Sequence, residues 1–353
     1  MKAVVYYAPG DIRVEDRPAP PKENDSMIAK VKCCAICGTD VKIYKSGNPR
    51  CVPPRIIGHE MVGTLEHVGN EVEGFHAGEN VTLATTIACG VCDYCKIGLS
   101  NICPDAKPIS YDFDGAFAEY IKIPHEAIAG GNVIKVPDGE DIEKYAISEP
   151  LSCAVNAQNI IGVGGNDTVV VVGGGPLGAI HAELAKANGA GKIIVVASSG
   201  PRFEFLKMLK DITLIDRKSE DVKKRALELT GGLGADAVIV CAPSKEAMEE
   251  SLSLARKGGR ISYFSSLPKD DSELCLDSRA IHYGELTIAG CSDSRPGHVM
   301  TAVGLIRDGK INSEAIITHR IQIDDFAKGI ELMIRKESLK VLIYPQQDCL
   351  TRI

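Results

Sequence analysis

The chain has 353 residues, of which 44% are hydrophobic and 25% charged, and its formal net charge is -7 with a pI near 5.7. Since domains usually contain about 100–200 residues, this length favours two domains. The acidic balance disfavours nucleic acid as a partner, and no apolar run reaches the roughly 20 residues that span a bilayer. The first residues lack a secretory signal pattern, so the sequence predicts a cytoplasmic protein with no nucleic-acid and no membrane partner.

The first part of the chain is rich in short apolar segments of β character. Residues 27–34 and 61–68 are two such segments, and Gly and Pro residues break the chain between segments of this kind. This pattern indicates a compact, partly open barrel. Two short motifs lie among them, CGTD at 37–40 and GHE at 58–60. Cys37, His59 and a carboxylate form the mixed ligand set of catalytic zinc, which leaves a fourth position open. Each motif is weak evidence when taken alone.

The next segment, CGVCDYCKIGLSNIC, holds Cys89, Cys92, Cys95 and Cys103. Four thiolates on short loops suit a tetrahedral zinc ion. Such a site has no open position, so the sequence predicts a structural zinc and not a catalytic one. Unligated thiols and an iron–sulfur cluster stay as alternatives.

Thirteen cysteines is a high number for a protein of a reducing compartment, where thiols stay free or bind metal. We expect the cysteines within or beside apolar runs to pack as small apolar groups. These are Cys33, Cys34, Cys153, Cys241, Cys275 and Cys291.

A strand, a glycine-rich turn, a helix and a second strand follow in the order that a dinucleotide site requires. The apolar run 168–172 predicts a buried parallel strand, 176–188 a helix, and 192–196 the next strand. Gly173, Gly175 and Gly178 fit G-x-G-x-x-G between them, and Pro176 and Leu177 open the helix whose N-terminus faces the pyrophosphate. We predict that these five residues bind the cofactor.

The end of the second predicted strand indicates which nicotinamide cofactor binds. An acidic residue about 20 positions after the glycines would hold the ribose 2′-OH of NAD, but Ala197 stands there. Ser198, Ser199 and Arg202 follow, and their hydroxyls and guanidinium suit a 2′-phosphate. The sequence therefore predicts NADP in preference to NAD. The alternative is a surface loop in which Arg202 only begins the next helix.

Alternating strands and helices continue to the end of the chain, and no internal repeat is found. We predict strands at 212–215, 237–241, 259–264, 286–291 and 340–344, and helices at 220–229, 246–256, 296–308 and 324–335.

CGTD, GHE, the four-cysteine segment, DGAFAEY (114–120), SEPLS (148–152) and GGGPLG (173–178) together resemble the zinc-dependent medium-chain alcohol dehydrogenase family. The GHE and EPLS forms are most similar to the branch of sorbitol (L-iditol), threonine and polyol-phosphate dehydrogenases. The resemblance covers essentially the whole chain. It implies an α/β fold with a GroES-like β-barrel catalytic domain at 1–153 and 291–353 and a Rossmann doubly wound parallel sheet at 154–290.

The resemblance also implies the roles of the site residues. Cys37 and His59 become ligands of the catalytic zinc, and Glu60 a third ligand or a close alternate. Glu149 would hold the zinc-bound water or exchange with Glu60, and Thr39 would take the alcohol proton. One catalytic and one structural zinc per chain are implied.

Further features follow from the same resemblance. Asp40 matches the carboxylate that fixes the histidine ring. Many relatives place a histidine three residues after Thr39, whereas this chain has Lys42, so its proton route is expected to differ. Tyr44, Phe113, Glu149 and Arg295 are candidate pocket residues by position. The other histidines match no ligand motif and are expected to be structural or exposed: His67, His76, His125, His181, His282, His298 and His319.

The function predicted from these observations is hydride transfer between a secondary alcohol and NAD(P), with zinc binding the alcohol oxygen. A polyol or sugar alcohol, phosphorylated or not, is the expected substrate, and a threonine-type hydroxy amino acid is the alternative. A silent NADP-binding sensor and a zinc-ribbon interaction module are less favoured. The apolar run 286–291 predicts an edge strand that pairs with a second subunit, as a homodimer or homotetramer.

Overall fold

The computed structural model describes residues 1–139 and 141–346. In chain order, the β-strands are β1 (Lys2–Ala8), β2 (Asp11–Asp16), β3 (Met27–Ala35), β4 (Arg55–Ile56), β5 (Glu60–Val68), β6 (Asn80–Leu83), β7 (Thr86–Ile87), β8 (Lys107–Pro108), β9 (Tyr120–Ile123), β10 (Val133–Lys135), β11 (Thr168–Val172), β12 (Lys192–Ala197), β13 (Thr213–Asp216), β14 (Ala235–Val240), β15 (Ala255–Tyr263), β16 (Thr287–Gly290), β17 (Ile317–Gln322) and β18 (Lys340–Tyr344).

The α-helices are α1 (Gly38–Ser46), α2 (Asp93–Lys96), α3 (His125–Ala129), α4 (Ser148–Ile160), α5 (Pro176–Ala187), α6 (Pro201–Leu206), α7 (Val222–Leu229), α8 (Lys245–Leu254), α9 (Ser278–Gly284), α10 (Pro296–Arg307), α11 (Ser313–Ile316) and α12 (Phe326–Arg335). Short 3₁₀ helices lie at Ser100–Ile102, Ile142–Ile147, Lys269–Asp271 and Ile323–Asp325. Among the described residues, no helix is both long enough and apolar enough to cross a membrane.

The described chain forms two compact units. Unit 1 contains Met1–Ser152, Asp293–Asp308 and the described residues from Ile317 onward, and unit 2 contains Cys153–Ser292 and Gly309–Ile316. The sequence predicts domain boundaries at 153/154 and 290/291, and this division stays a prediction. Residues 347–353 of the predicted catalytic domain lie outside the described part of the chain. By its contacts, the segment Gly309–Ile316 belongs with unit 2, because the Glu183 carboxylate accepts a hydrogen bond of 2.8 Å from the Asn312 backbone N–H.

Unit 1 is built around strand β3, which pairs antiparallel with β5, β9 and β18. In the described residues these strands belong to a sheet whose main path runs β10-β6-β5-β3-β18-β17, and a smaller sheet has the order β2-β1-β4. The larger of two apolar core clusters described in this unit includes Met27, Leu65, Phe117 and Ile343. The last described strand of the chain therefore lies beside its third, which brings residue 340 next to the motifs near residue 37.

Unit 2 contains a parallel sheet with the order β13-β12-β11-β14-β15-β16, six strands in the described residues. The doubly wound parallel sheet expected from the sequence is thus confirmed. Strands β11, β12 and β14 are almost entirely buried, which their β-branched runs predict. The order reverses between β11 and β14, and in such sheets ligands bind beyond the carboxyl ends of the strands at this point.

Three local predictions differ from the structure. The helix expected to reach residue 256 ends at Leu254, where β15 begins and pairs with β14 through Ala255. Helix α12 starts at Phe326 and not at residue 324, because Ile323–Asp325 form a 3₁₀ turn. Cys275 is exposed and does not pack as an apolar group, whereas Cys33 and Cys34 are fully buried as predicted.

Candidate active site

The CGTD motif forms the start of helix α1. Cys37 occupies the position before the helix, and its backbone N–H donates a hydrogen bond of 2.9 Å to Oδ2 of Asp40. Asp40 is fully buried. Burial raises the pKa of the Asp40 carboxyl to about 6, although the nearby His59 lowers it. The spacing of three residues thus lets Asp40 fix the backbone that carries the Cys37 thiol.

His59 is positioned by two glycines that lie against each other. Gly58 has a φ of 97°, and a Cβ there would lie 2.6 Å from the ring of Phe117. A Cβ at Gly115 would lie 2.4 Å from the Gly58 carbonyl oxygen. The GHE and DGAFAEY motifs therefore interlock through their glycines. They place His59 Nδ1 3.9 Å from Oδ1 of Asp40.

The structure brings Cys37, His59 and Glu60 together, with one donor atom of each within 4.8 Å of the others. Burial lowers the pKa of His59, but the charges of Cys37, Asp40 and Glu149 act more strongly together and raise it well above its usual value. Surroundings that favour a protonated imidazole also favour a metal cation. The donor types, their spacing and this charge fit a zinc ion.

Glu60 has a partner that the sequence did not suggest. Both of its carboxylate oxygens lie 2.5 Å from Nζ of Lys340, which belongs to β18. Glu60 is fully buried and Lys340 is 2% exposed, so this is a buried ion pair. Burial lowers the pKa of Lys340, but the charge and hydrogen bond of Glu60, together with the charges of Cys37 and Glu149, raise it above its usual value. The carboxylate proposed as a zinc ligand is therefore bound to an ammonium group in this structure.

Glu149 lies in the first turn of α4 and is 7% exposed. The hydroxyl of Thr85 donates a hydrogen bond of 3.4 Å to Oε1 of Glu149. Burial raises the pKa of Glu149 to about 7, while His59 lowers it. An oxygen of Glu149 also lies within 4.8 Å of an oxygen of Asp293, a residue that carried no motif in the sequence.

The four clustered cysteines of the 89–103 segment face one point. The sulfur of Cys95 lies 4.0 Å from that of Cys89 and 3.5 Å from that of Cys92, and the sulfurs of Cys92 and Cys103 are 3.8 Å apart. Sulfurs at the corners of a tetrahedron with Zn–S bonds of about 2.3 Å stand about 3.8 Å apart. The geometry therefore fits a single ion, and it is too tight for a cluster of several irons at the centre.

Replacing Cys95 with serine is expected to remove one metal ion per chain and to lower the melting temperature, because a closed thiolate site stabilises the fold directly. Metal analysis and calorimetry of the purified protein measure both effects. Cys275→Ser is the control, since Cys275 is exposed and lies outside the cluster. Equal melting temperatures for the two variants would show that the 89–103 segment holds no stabilising metal.

The remaining candidates for the pocket differ in their surroundings. Tyr44 and Phe113 pack against the core of unit 1, whereas Lys42 is exposed on α1 and Thr39 is partly buried in its first turn. The guanidinium of Arg295 donates a short hydrogen bond to the Gly98 carbonyl, and its Nη2 lies 2.9 Å from Nε2 of His298. Arg295 is therefore anchored on the four-cysteine segment.

The glycine turn after β11 has the close contacts that its motif predicts. Gly173 has a φ of 124°, and a Cβ at Gly178 would lie 1.8 Å from the Gly173 carbonyl oxygen. A Cβ at Gly174, the variable position of the motif, would lie 2.4 Å from that of Ala197. At Gly175 a Cβ would meet only Nη1 of Arg202, at 3.7 Å. The space in front of the α5 N-terminus thus suits a pyrophosphate.

The loop after β12 contacts two residues that the sequence did not single out, Asp216 at the end of β13 and Lys218 just after it. The Ser199 backbone N–H donates a hydrogen bond of 2.8 Å to Oδ1 of Asp216, and Nζ of Lys218 donates one of 2.7 Å to the Ser199 carbonyl. Arg202 is partly buried, and burial lowers the pKa of its guanidinium. The loop after β12 therefore contacts both a carboxylate, that of Asp216, and a basic side chain, that of Lys218, and Arg202 follows three residues after Ser199.

Two family models match this chain. The alcohol dehydrogenase GroES-like domain matches residues 23–138, and the zinc-binding dehydrogenase model matches residues 176–321. The first match lies in unit 1, which contains the candidate zinc sites, and the second begins at the helix that follows the glycine turn.

Curated relatives and solved structures extend over nearly the whole chain. A sorbitol dehydrogenase of Halalkalibacterium halodurans is 31% identical over 98% of this chain and 99% of its own, and an L-threonine 3-dehydrogenase of Bacillus licheniformis is 34% identical with the same coverage. A structure from Sinorhizobium meliloti, described as a zinc-binding dehydrogenase bound to NADP, has a TM-score of 0.89 at 28% identity and covers 98% of this chain and 99% of its own.

The chain therefore belongs to the zinc-dependent, medium-chain alcohol dehydrogenase family, with a GroES-like and a Rossmann-type fold. It is an oxidoreductase that acts on the CH–OH group of a small molecule and uses zinc and a nicotinamide cofactor. The resemblance inferred from its motifs is confirmed.

Proposed function

We propose that the protein oxidises a secondary alcohol of the polyol or sugar-alcohol type, and reduces the matching ketone, with NADP preferred over NAD. The observation that carries this proposal is the convergence of Cys37, His59 and Glu60 within 4.8 Å, with the buried Glu149 close enough for its charge to act on His59. A site rich in carboxylates suits a substrate with several hydroxyls, because each hydroxyl can donate to a carboxylate oxygen.

The side chains of unit 1 have distinct roles in this proposal. Cys37 and His59 hold the catalytic zinc, while Glu60 and Glu149 are the alternative carboxylate ligands. When bound, zinc would act as a Lewis acid on the substrate oxygen, and the nicotinamide would accept the hydride. Thr39 receives the alcohol proton, and Cys89, Cys92, Cys95 and Cys103 hold a second, structural zinc.

The cofactor preference rests on the loop after β12. Gly173, Gly175, Pro176, Leu177 and Gly178 bind the pyrophosphate at the start of α5. Ser198, Ser199 and Arg202 bind the 2′-phosphate, with Lys218 as additional positive charge. The Sinorhizobium meliloti neighbour with bound NADP supports this assignment.

Replacing Arg202 with alanine is expected to raise KM for NADP roughly 10- to 100-fold, because it removes a charge-assisted hydrogen bond to the 2′-phosphate. KM for NAD should change less than about 3-fold, within the scatter of surface substitutions. Steady-state kinetics with both cofactors measures this. Arg225→Ala, at a half-exposed arginine of α7 in the same unit, is the control. An equal rise for both cofactors would rule out the 2′-phosphate role.

The assembly and location are proposed as well. In the described residues β16 pairs only with β15 and lies at the end of its sheet, so its other edge is available to an identical strand. We infer a homodimer or homotetramer. Size-exclusion chromatography with light scattering tests this inference, and a monomer would refute it. The cytoplasmic location stays a prediction.

The test of the function is a panel of polyols, polyol phosphates and hydroxy amino acids, assayed with zinc-loaded protein and with NAD and NADP in parallel. Turnover of polyols with NADP supports the proposal. Turnover restricted to threonine and similar compounds would favour the second candidate, a threonine-type dehydrogenase, which the 34% identity to an L-threonine 3-dehydrogenase supports.

A further inference from the structure

We propose that Asp293 is a specificity-determining residue, which accepts a hydrogen bond from a second hydroxyl of the substrate, so that the enzyme prefers a neutral vicinal diol to a monohydric alcohol. This inference rests on the proposed function, since it concerns the neighbour of the hydroxyl that is oxidised. Neither the sequence motifs nor the predicted pocket residues include Asp293.

The Asp293 carboxylate is held in place from two sides. The Thr86 hydroxyl of β7 donates a short hydrogen bond to Oδ2, and the Ser294 backbone N–H donates one of 2.7 Å to Oδ1. The hydroxyl of Ser152 in α4 donates a hydrogen bond of 2.7 Å to that of Ser294. The loop that carries Asp293 is therefore attached both to β7 and to the helix that carries Glu149.

The backbone of this loop is also unusual. Asp293 has a φ of 57°, in the left-handed region that aspartate and asparagine adopt more readily than most residues other than glycine. Such a conformation costs free energy and persists where the surrounding structure demands it, often at ligand sites. The hydrogen bonds to Thr86 and Ser294 hold Asp293 in this conformation.

The position of Asp293 relative to the zinc ligands defines what it can contact. One of its oxygens lies within 4.8 Å of an oxygen of Glu149, and His59 is close enough for its charge to act on Asp293. A carboxylate has about four lone-pair positions, so it can accept further hydrogen bonds beside those from Thr86 and Ser294. A diol whose first hydroxyl binds near His59 presents the second to this pair of carboxylates.

The charge of the site favours a substrate whose group next to the oxidised hydroxyl is neutral. A phosphate or carboxylate on the adjacent carbon would face Glu149 and Asp293, and like charges at such distances repel. Among the described residues, three basic side chains of unit 1 are each bound to another group. Lys340 binds Glu60, Arg295 binds the Gly98 carbonyl, and Arg50 donates a hydrogen bond of 2.8 Å to the Ala106 carbonyl.

The kinetic test compares butane-2,3-diol with butan-2-ol, which share a carbon skeleton and differ by one hydroxyl. Asp293→Asn keeps the shape, and asparagine tolerates the left-handed backbone. The expected result is a roughly 10- to 100-fold loss of kcat/KM for the diol, the size expected when a hydrogen bond to a charged group is lost. The value for butan-2-ol should change less than about 3-fold. Asp308→Asn, at the end of α10, is the matched control.

A binding measurement keeps the inference testable apart from turnover. Each alcohol is titrated into the complex with reduced cofactor, where no reaction occurs, and the nicotinamide fluorescence is followed. Weaker binding of the diol alone in Asp293→Asn supports the inference. Equal losses for both alcohols, or no loss, would overturn it. If the wild-type protein oxidises no member of the alcohol panel, the proposed function fails, whereas the binding result still decides the role of Asp293.

Discussion

Replacing Cys37 with alanine is expected to abolish turnover, with kcat lowered by at least about a thousandfold, because the protein would lose a ligand of the metal that polarises the substrate. The cofactor should still bind, since the glycine turn of unit 2 is unchanged. Steady-state kinetics, metal analysis and a titration with NADPH measure these effects. The variant should keep the metal held by the four-cysteine segment.

The matched control for this substitution is Cys33→Ala. Cys33 is fully buried in the same region, but its sulfur lies 3.9 Å from the Glu143 carbonyl and belongs to none of the clusters of metal-binding side chains. That variant should lose stability and keep its turnover per bound metal. Unchanged turnover in Cys37→Ala would refute the assignment of Cys37 as a catalytic ligand.

Replacing Lys340 with methionine is expected to destabilise the protein by about 3–5 kcal/mol, because Glu60 would stay buried without its cation. The exposed pair of Lys2 and Asp324, at 2.7 Å, provides the contrast. Lys2→Met should cost about 0–1 kcal/mol, since water screens that pair. Urea unfolding of both variants after removal of bound zinc, followed by circular dichroism, gives the free energies.

A double variant separates the ion pair from the packing of the lysine chain. If the charge of Glu60 causes the loss, Glu60→Gln combined with Lys340→Met should be more stable than Lys340→Met alone, and a double-mutant cycle gives the coupling. A cost for Lys340→Met as small as that of Lys2→Met would contradict the interpretation of this pair as buried and unscreened.

Patterns formed by residues close together in the sequence predicted the structure closely. The strands 168–172 and 340–344 were found with the expected bounds, because continuous apolar runs between polar or turn residues are typical of buried strands. The four cysteines converge because short loops connect them, so their spacing alone indicated the site. The glycine motifs predicted the structure equally well, because only a residue without a Cβ atom fits where two backbone segments lie in close contact.

Contacts between distant residues could not be predicted in the same way. Lys340 pairs with Glu60 across 280 residues, and Thr86 donates to Asp293 across 207. A lysine in an apolar strand and an aspartate in a loop carry no local signal, because their partners are set by the strand order of unit 1. The family resemblance indicated Glu60 as a ligand, but it contained nothing about the ammonium group that binds it.

The position of Lys340 also affects how the protein is made. A ribosome that has synthesised Glu60 must add 280 more residues before its partner exists. At roughly 5–20 residues per second this takes on the order of tens of seconds, during which the nascent chain carries that carboxylate without its ammonium group. The main segment of unit 2, Cys153–Ser292, is complete before that moment. The region of the proposed zinc ligands is therefore among the last parts of the molecule to reach its final form during translation.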